Sequence, residues 1–477
     1  MERFTRTDGT IIRLQDAAEW IGGGLVECDG GHGESGCEHA CSFGCAARVL
    51  ERTTGNNYFN AALLHCGTQC CQHTIVSITM PVLDPLLRFR DEFPILGTST
   101  YLVSNSLGAM PRGVPARLAA YAAQWQTRGV RAWADGWWEM PMTVGAIVAP
   151  LIGAAADEVV MVPTVTQAMT SILTALDYPT ERNEIVMTAL DFPSVRYPYD
   201  ALASRLGARV TVVPSDDGVG IDLDRLLAAI TERTRLVAIS HVLFRSAYIL
   251  DAAKICAHAR AVGAIVALDA YHSVGVIPVD VHALGVDFLC GGVLKWLCGG
   301  PGGCFLYASP SASAQFAPAI TGWQAHRTPF AFADHMEYAA GAWRWLGGTP
   351  AVPALFAAIE GPRLVAEAGM QTIREKSVRQ TARLITLADA RGWRVHAPRE
   401  DERRGGTVAF DVPHGAEVAR ALLARDVVID FRPGAGIRVA PHFYTTDAEL
   451  ETCVATIDDI LATESWRAFT GVSTVVT

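Results

Sequence analysis

Phe288-Leu289-Cys290-Gly291-Gly292-Val293-Leu294-Lys295-Trp296-Leu297-Cys298-Gly299-Gly300-Pro301-Gly302-Gly303 places one amine in an apolar, glycine-rich segment with no acid near it in sequence. Upstream, Ala264-Ile265-Val266-Ala267-Leu268-Asp269 reads as a buried strand ending in a carboxylate. Both runs belong to a series. Apolar strand patterns at 158–163, 184–189, 209–215, 235–240, 265–269, 288–292 and 303–308 alternate with helical patterns, among them 167–176, 196–206 and 251–262. Continuous Val/Ile/Ala strands alternating with helices predict a mostly parallel sheet covered on both faces. Beyond residue 355 the texture changes to a long helical pattern, 356–391, followed by strand, helix and strand, which predicts a smaller C-terminal domain.

Asp191, His241, Asp269 and Lys295 all sit just past strand ends, where open α/β sheets bind ligands. A lone amine in an apolar pocket and an acid at a strand end suit pyridoxal phosphate (PLP). The amine forms a Schiff base, and the acid keeps the pyridine nitrogen protonated so that the ring accepts electrons. Taken alone, Lys295 could equally be a surface lysine beside a glycine-rich turn. The segment Thr164-Val165-Thr166-Gln167 ends the first strand and opens a helix, so its free N–H groups and the helix dipole face an anion. Thr166 could add a hydroxyl, and a plain helix N-cap is compatible with both roles.

Composition narrows the class. The chain has 477 residues, 50% hydrophobic and only 18% charged, enough for a large core and two or more domains. A net charge of −10 argues against a nucleic-acid binder. No uninterrupted apolar run is long enough to cross a bilayer, and no secretion signal is visible, so a cytoplasmic protein is expected. Residues 1–79 differ from the rest: they hold seven of the twelve cysteines and little periodicity. Cys37-x3-Cys41-x3-Cys45 with His65-Cys66 and Cys70-Cys71-x-His73 suggests a metal site, but the spacing fits neither zinc-ribbon nor radical-enzyme patterns. A poorly ordered leader, or upstream sequence carried by a mis-set start codon, is the plainer expectation, and no metal is assigned.

From Tyr101 onward the motifs resemble the fold-type-I PLP enzymes of the class V aminotransferase group, and kynureninases in particular. Asn105-Ser106-Leu107-Gly108 is similar to their early turn, Phe192-Pro193-Ser194 to the segment that lays an aromatic ring over the pyridine, and Asp269-Ala270-Tyr271-His272-Ser273-Val274-Gly275 to their DxxHSxG. Lys295 with its Gly-Pro-Gly-Gly run, Gly322-Trp323-Gln324-Ala325-His326 and Gly348-Thr349-Pro350 complete the match. The resemblance implies a large PLP-binding domain (126–355) with a mostly parallel seven-stranded sheet. An N-terminal arm (80–125) would precede it and a small α+β domain (356–477) follow it.

By the same resemblance, Lys295, Asp269 and His272 are catalytic. Val165, Thr166, Phe192, Trp323 and Thr349 join them in holding PLP, with the segment at Thr349 reaching across a homodimer. Arg438, in Gly436-Ile437-Arg438-Val439-Ala440-Pro441, matches the arginine that clamps the substrate carboxylate, with Asn105 and Ser106 beside it. A salt-bridged strand arginine is the alternative. Two positions depart from the kynureninase pattern: Leu294 replaces the tyrosine before the lysine, and Val195 replaces the acid after Phe-Pro-Ser. Tyr271, Tyr197 and Tyr248 are candidates for a replacement hydroxyl. The leading expectation is kynureninase-like hydrolysis of a Cβ–Cγ bond of an amino acid, the alternative a class V aminotransferase or C–S lyase. The cysteine desulfurase pattern is not met, because no cysteine precedes Arg438 in Asp430-Phe431-Arg432-Pro433-Gly434-Ala435-Gly436.

Overall fold

A computed structural model describes residues 84–471, and before them only the backbone of short strands. It divides into two compact units, Met1–Pro85 and Leu86–Thr477. The expectations for residues 1–79 lie outside the described residues.

In the larger unit all seven expected strands form one sheet. They are β1 (Val159–Val162), β2 (Glu184–Thr188), β3 (Arg209–Val213), β4 (Thr234–Ser240), β5 (Ile265–Asp269), β6 (Phe288–Gly292) and β7 (Cys304–Ala308), in the order β3-β2-β4-β5-β6-β7-β1. β7 runs antiparallel to both neighbours and the remaining pairs are parallel. Alternate residues of one strand feed different cores: Val266 and Leu268 pack on one side of β5, Ala267 on the other. That two-sided burial explains why the strands are unbroken apolar runs rather than alternating ones.

The register decides where the chemistry sits. Ser240 pairs with Asp269, and Asp269 with Cys290, so the carboxyl ends of β4 and β5 finish level and β6 runs on to Gly292 beside them. Across the antiparallel strand, Gly292 faces Cys304 and Cys304 faces Val162. The helices α2 (Met140–Val148), α3 (Val165–Thr174) and α4 (Pro193–Leu202) pack around this sheet, whereas α1 (Val114–Arg128) packs against the helix Val352–Ala357. Thr164 caps α3 by accepting from the Gln167 N–H, as its position before an apolar-periodic run predicts.

The C-terminal region has its own apolar cluster, built from Leu384, Phe410, Leu422, Ile437, Ile457 and their neighbours around the strands Val408–Phe410, Asp430–Arg432 and Gly436–Val439. The single long helix expected over 356–391 is instead three: Val352–Ala357, Glu360–Ala368 and Met370–Asp389. The last break falls at Gly369, whose φ of +85° lies outside the helical region that the apolar periodicity suggested. No helix among the described residues is long and apolar enough to cross a membrane.

Candidate active site

Lys295 follows β6 on a tight turn, and the carbonyl of Leu294 before it is held by the Asn105–Gly108 turn. Gly108 N–H donates to the Leu294 carbonyl at 2.8 Å. From the C-terminal region His442 Nε2 lies 2.7 Å from the Trp296 carbonyl, so the lysine turn is braced on two sides. Lys295 Nζ sits 2.7 Å from His272 Nε2, 4.5 Å from the Tyr271 ring centre and 5.5 Å from that of Phe192. Burial outweighs the pull of Asp269 and, with Arg438 and Arg432 nearby, brings the amine down to about 7. A lysine neutral for much of its time at neutral pH is a nucleophile and a proton acceptor.

Asp269 closes β5 with one carboxylate oxygen accepting from the Tyr271 N–H at 2.9 Å. Burial raises its carboxyl to about 6, opposed by that hydrogen bond and by Lys295. A carboxylate so placed gains most from a cationic partner at its other oxygen, which suits a protonated ring nitrogen. Burial, then Lys295 and Arg438, hold His272 well below the usual imidazole range, so it stands neutral beside the amine.

The remaining expected residues divide into two groups. Phe192 caps α4 and is 38% exposed, so its face is open to a ligand, with Phe244 edge-on at 5.1 Å. Val165 and Thr166 begin α3, and Thr166 Oγ1 donates to the Ser194 carbonyl at 3.3 Å, tying the start of α3 to the Phe-Pro-Ser segment. Asn105 is 1% exposed and neither atom of its amide has a hydrogen-bond partner, an orphaned pair that a bound polar group would satisfy. Ser106 sits in the same turn, its N–H bonded to the Val103 carbonyl. Trp323 and Thr349, by contrast, belong to other surroundings. Trp323 belongs to an exposed aromatic group with Trp138, Phe330 and Phe332. Thr349 lines a cavity of about 190 Å³ that also receives Gln167 from the first turn of α3.

Arg438 is buried near the lysine but already engaged. Its Nε donates to Asp430 Oδ1 at 2.8 Å, Nη2 pairs with the other oxygen, and Nη1 donates to the Phe244 carbonyl at 2.6 Å. Both partners are buried, at 3% and 0% exposure. One N–H on each terminal nitrogen is left over, a forked pair facing away from Asp430. Sequence reasoning missed Asp430, which the hairpin register sets directly opposite Arg438, and Arg432, whose Nη2 reaches Asp430 at 3.3 Å. It also missed Asp191 as a structural acid: its two oxygens accept from the Thr188 and Ser240 N–H groups and tie β2 to β4 under the site. A strand-end acid followed by a turn was the only signal for it.

The residues present fit PLP: a depressed lysine amine, a strand-end carboxylate, an open aromatic face and a helix N-terminus surround one space. Comparison with known proteins agrees. The family model described as Aminotransferase class-V matches residues 100–450. Kynureninase from Burkholderia mallei is 32% identical over 398 residues, covering 81% of this chain and 94% of that protein. Kynureninase from Geobacillus thermodenitrificans is 30% identical over 418 residues, covering 82% and 95%. Among solved structures, an apo cysteine desulfurase from Thermococcus onnurineus is similar with TM-score 0.71 at 22% identity, over 79% of this chain and 98% of that one. A C-DES variant with glycine covalently linked to its PLP cofactor has TM-score 0.70 at 21% identity, over 78% and 99%. At those identities the likeness speaks for the fold-type-I architecture. With the family model spanning the sheet, the lysine turn and the C-terminal strands, and with kynureninases aligned along most of its length, this chain belongs to the class-V aminotransferase family.

Proposed function

We propose that the chain is a PLP-dependent enzyme that hydrolyses the Cβ–Cγ bond of a kynurenine-like amino acid, releasing alanine and an aryl acid. The observation that carries this reading is the pairing of Lys295, brought down to about 7, with Asp269 at the neighbouring strand end. PLP supplies an electron sink for the charge left at Cα when its proton departs. Lys295 holds that proton, and neutral His272 at 2.7 Å stabilises the amine as it takes it up. Asp269 would hold the ring nitrogen, Phe192 would stack on the ring, and the Val165 and Thr166 end of α3 would take the phosphate. The outward fork of Arg438, held rigid by Asp430, grips the substrate carboxylate, with the unpartnered Asn105 amide and Ser106 completing that end.

Trp323 and Thr349 serve the site across a homodimer in this reading, which accounts for the exposed aromatic surface around Trp323. The arm (80–125), large domain (126–355) and small domain (356–477) keep their division, and a cytoplasmic location goes with it. The test is fluorescence of anthranilate released from L-kynurenine, with Lys295→Ala as blank. Release that vanishes in the variant supports the hydrolase. A PLP-loaded protein that releases none is assigned to transamination or C–S cleavage, as Leu294 and Val195 would favour.

A further inference from the structure

Tyr271 occupies the space between the lysine and the start of α3. Its ring centre is 4.5 Å from Lys295 Nζ, and its N–H is bonded to Asp269. The ring lies directly over Gly292: a Cβ there would stand 2.0 Å from Tyr271 Cζ and 2.1 Å from its hydroxyl. Gly292 does not have a positive φ, so glycine is required here for room and not for backbone conformation. The hydroxyl lies beside the Cys304 thiol, which also adjoins the Val165 N–H. The sheet register prepares this contact by setting Cys304 between Gly292 and Val162 in adjacent strands. Leu294, the residue before the lysine, brings no hydroxyl of its own.

A thiol is a weak acceptor, whereas a phosphate oxygen accepts a charge-assisted bond roughly twice as strong as a neutral one. The phenol therefore rests beside a poor partner that neighbours the amide beginning the anion-binding helix. Burial holds it protonated, hence a donor.

We propose that Tyr271 is a cofactor-binding residue, its hydroxyl turning from Cys304 to donate to the phosphate of PLP at the N-terminus of α3, in the room that Gly292 leaves for it. This rests on the PLP reading above and adds to it a phosphate contact.

The test is titration of the full chain with PLP and, separately, with pyridoxal, which lacks the phosphate. Lysine-bound cofactor is followed by its absorbance at roughly 420 nm. Tyr271→Phe keeps the ring and removes only the hydroxyl. It is expected to weaken PLP roughly 10- to 100-fold, the range for losing one hydrogen bond to a charged group, and to leave pyridoxal unchanged. Cys304→Ala removes the phenol's resting partner and is expected to keep PLP affinity at or above that of the parent. Unchanged PLP binding in Tyr271→Phe, an equal loss for both ligands, or a PLP loss in Cys304→Ala would each overturn the proposal. A parent chain that takes up no PLP, with no band that Lys295→Ala abolishes, would instead remove the cofactor reading beneath it.

Discussion

Gly108→Ala should cripple the enzyme while leaving its fold intact. The added Cβ would lie 2.2 Å from the Lys295 carbonyl oxygen, 2.8 Å from Cys298 Sγ and 2.9 Å from Cys298 Cα. Two of these atoms are backbone, so no side chain can swing aside. The Gly108 N–H bond to the Leu294 carbonyl at 2.8 Å holds the two segments together and prevents the turn from simply retreating. Restoring ordinary contact near 3.4 Å requires the lysine turn and the 105–108 turn to separate by about 1.2 Å, and a displacement of that size at a reacting group costs about 10²-fold in rate. Overpacking of this kind costs about 1–3 kcal/mol of stability, which a protein with so large a core tolerates. The assay compares kcat and the melting temperature of Gly108→Ala with those of Gly97→Ala, where nothing lies within 4 Å of the added Cβ. Gly97→Ala should match the parent in both. A Gly108→Ala enzyme with the parent's kcat would refute the claim that this turn sets the height of the lysine.

Three other perturbations have defined outcomes. Asp269→Asn keeps the Tyr271 contact but removes the charge facing the ring nitrogen, so kcat should fall at least ~10²-fold while the lysine-bound absorbance persists. Equal kcat would take Asp269 out of catalysis. Asp430→Ala strands the buried Arg438 without its bidentate partner, and removing one member of a buried pair costs about 3–5 kcal/mol. KM for an amino acid should rise with it, and a variant unchanged in both would show that Asp430 does not position the fork. In the PLP-free protein the lowered Lys295 amine binds its proton less tightly folded than unfolded. Its contribution to stability is therefore full above the unfolded value of 10.5 and lost as pH falls through about 7. The unfolding free energy from urea melts of the parent, relative to Lys295→Met, should rise between those limits by up to ~1.4 kcal/mol per pH unit, and a flat difference would contradict the depressed amine.

Strand positions were readable because burial on both faces leaves an unbroken apolar signature, and the site residues because chemistry at the ends of parallel strands falls at the junction of apolar run and turn. Asp269 and Lys295 are such junctions, and the register that pairs Asp269 with Cys290, in the strand leading to the lysine turn, follows once the strands are placed. What the sequence hid depends on pairing across the chain. Arg438 reads as a carboxylate clamp or a salt-bridged strand arginine, but its partner lies eight residues earlier and only the hairpin register places Asp430 opposite it. The continuous helix over 356–391 read well by periodicity and failed at Gly369, where one backbone angle outweighs the apolar pattern. Tyr271 falls between two motif residues, and the sequence places it only as one of three candidates for a replacement hydroxyl, with Tyr197 and Tyr248. Its position becomes informative only through Gly292, twenty-one residues on, whose missing Cβ is the space the phenol fills. A glycine in a strand interior normally weakens it, so a glycine kept there without a positive φ points to another group's approach. In this chain that group is a phenol leaning on the lysine, and the pair Gly292–Tyr271 is where sequence and structure have to be read together.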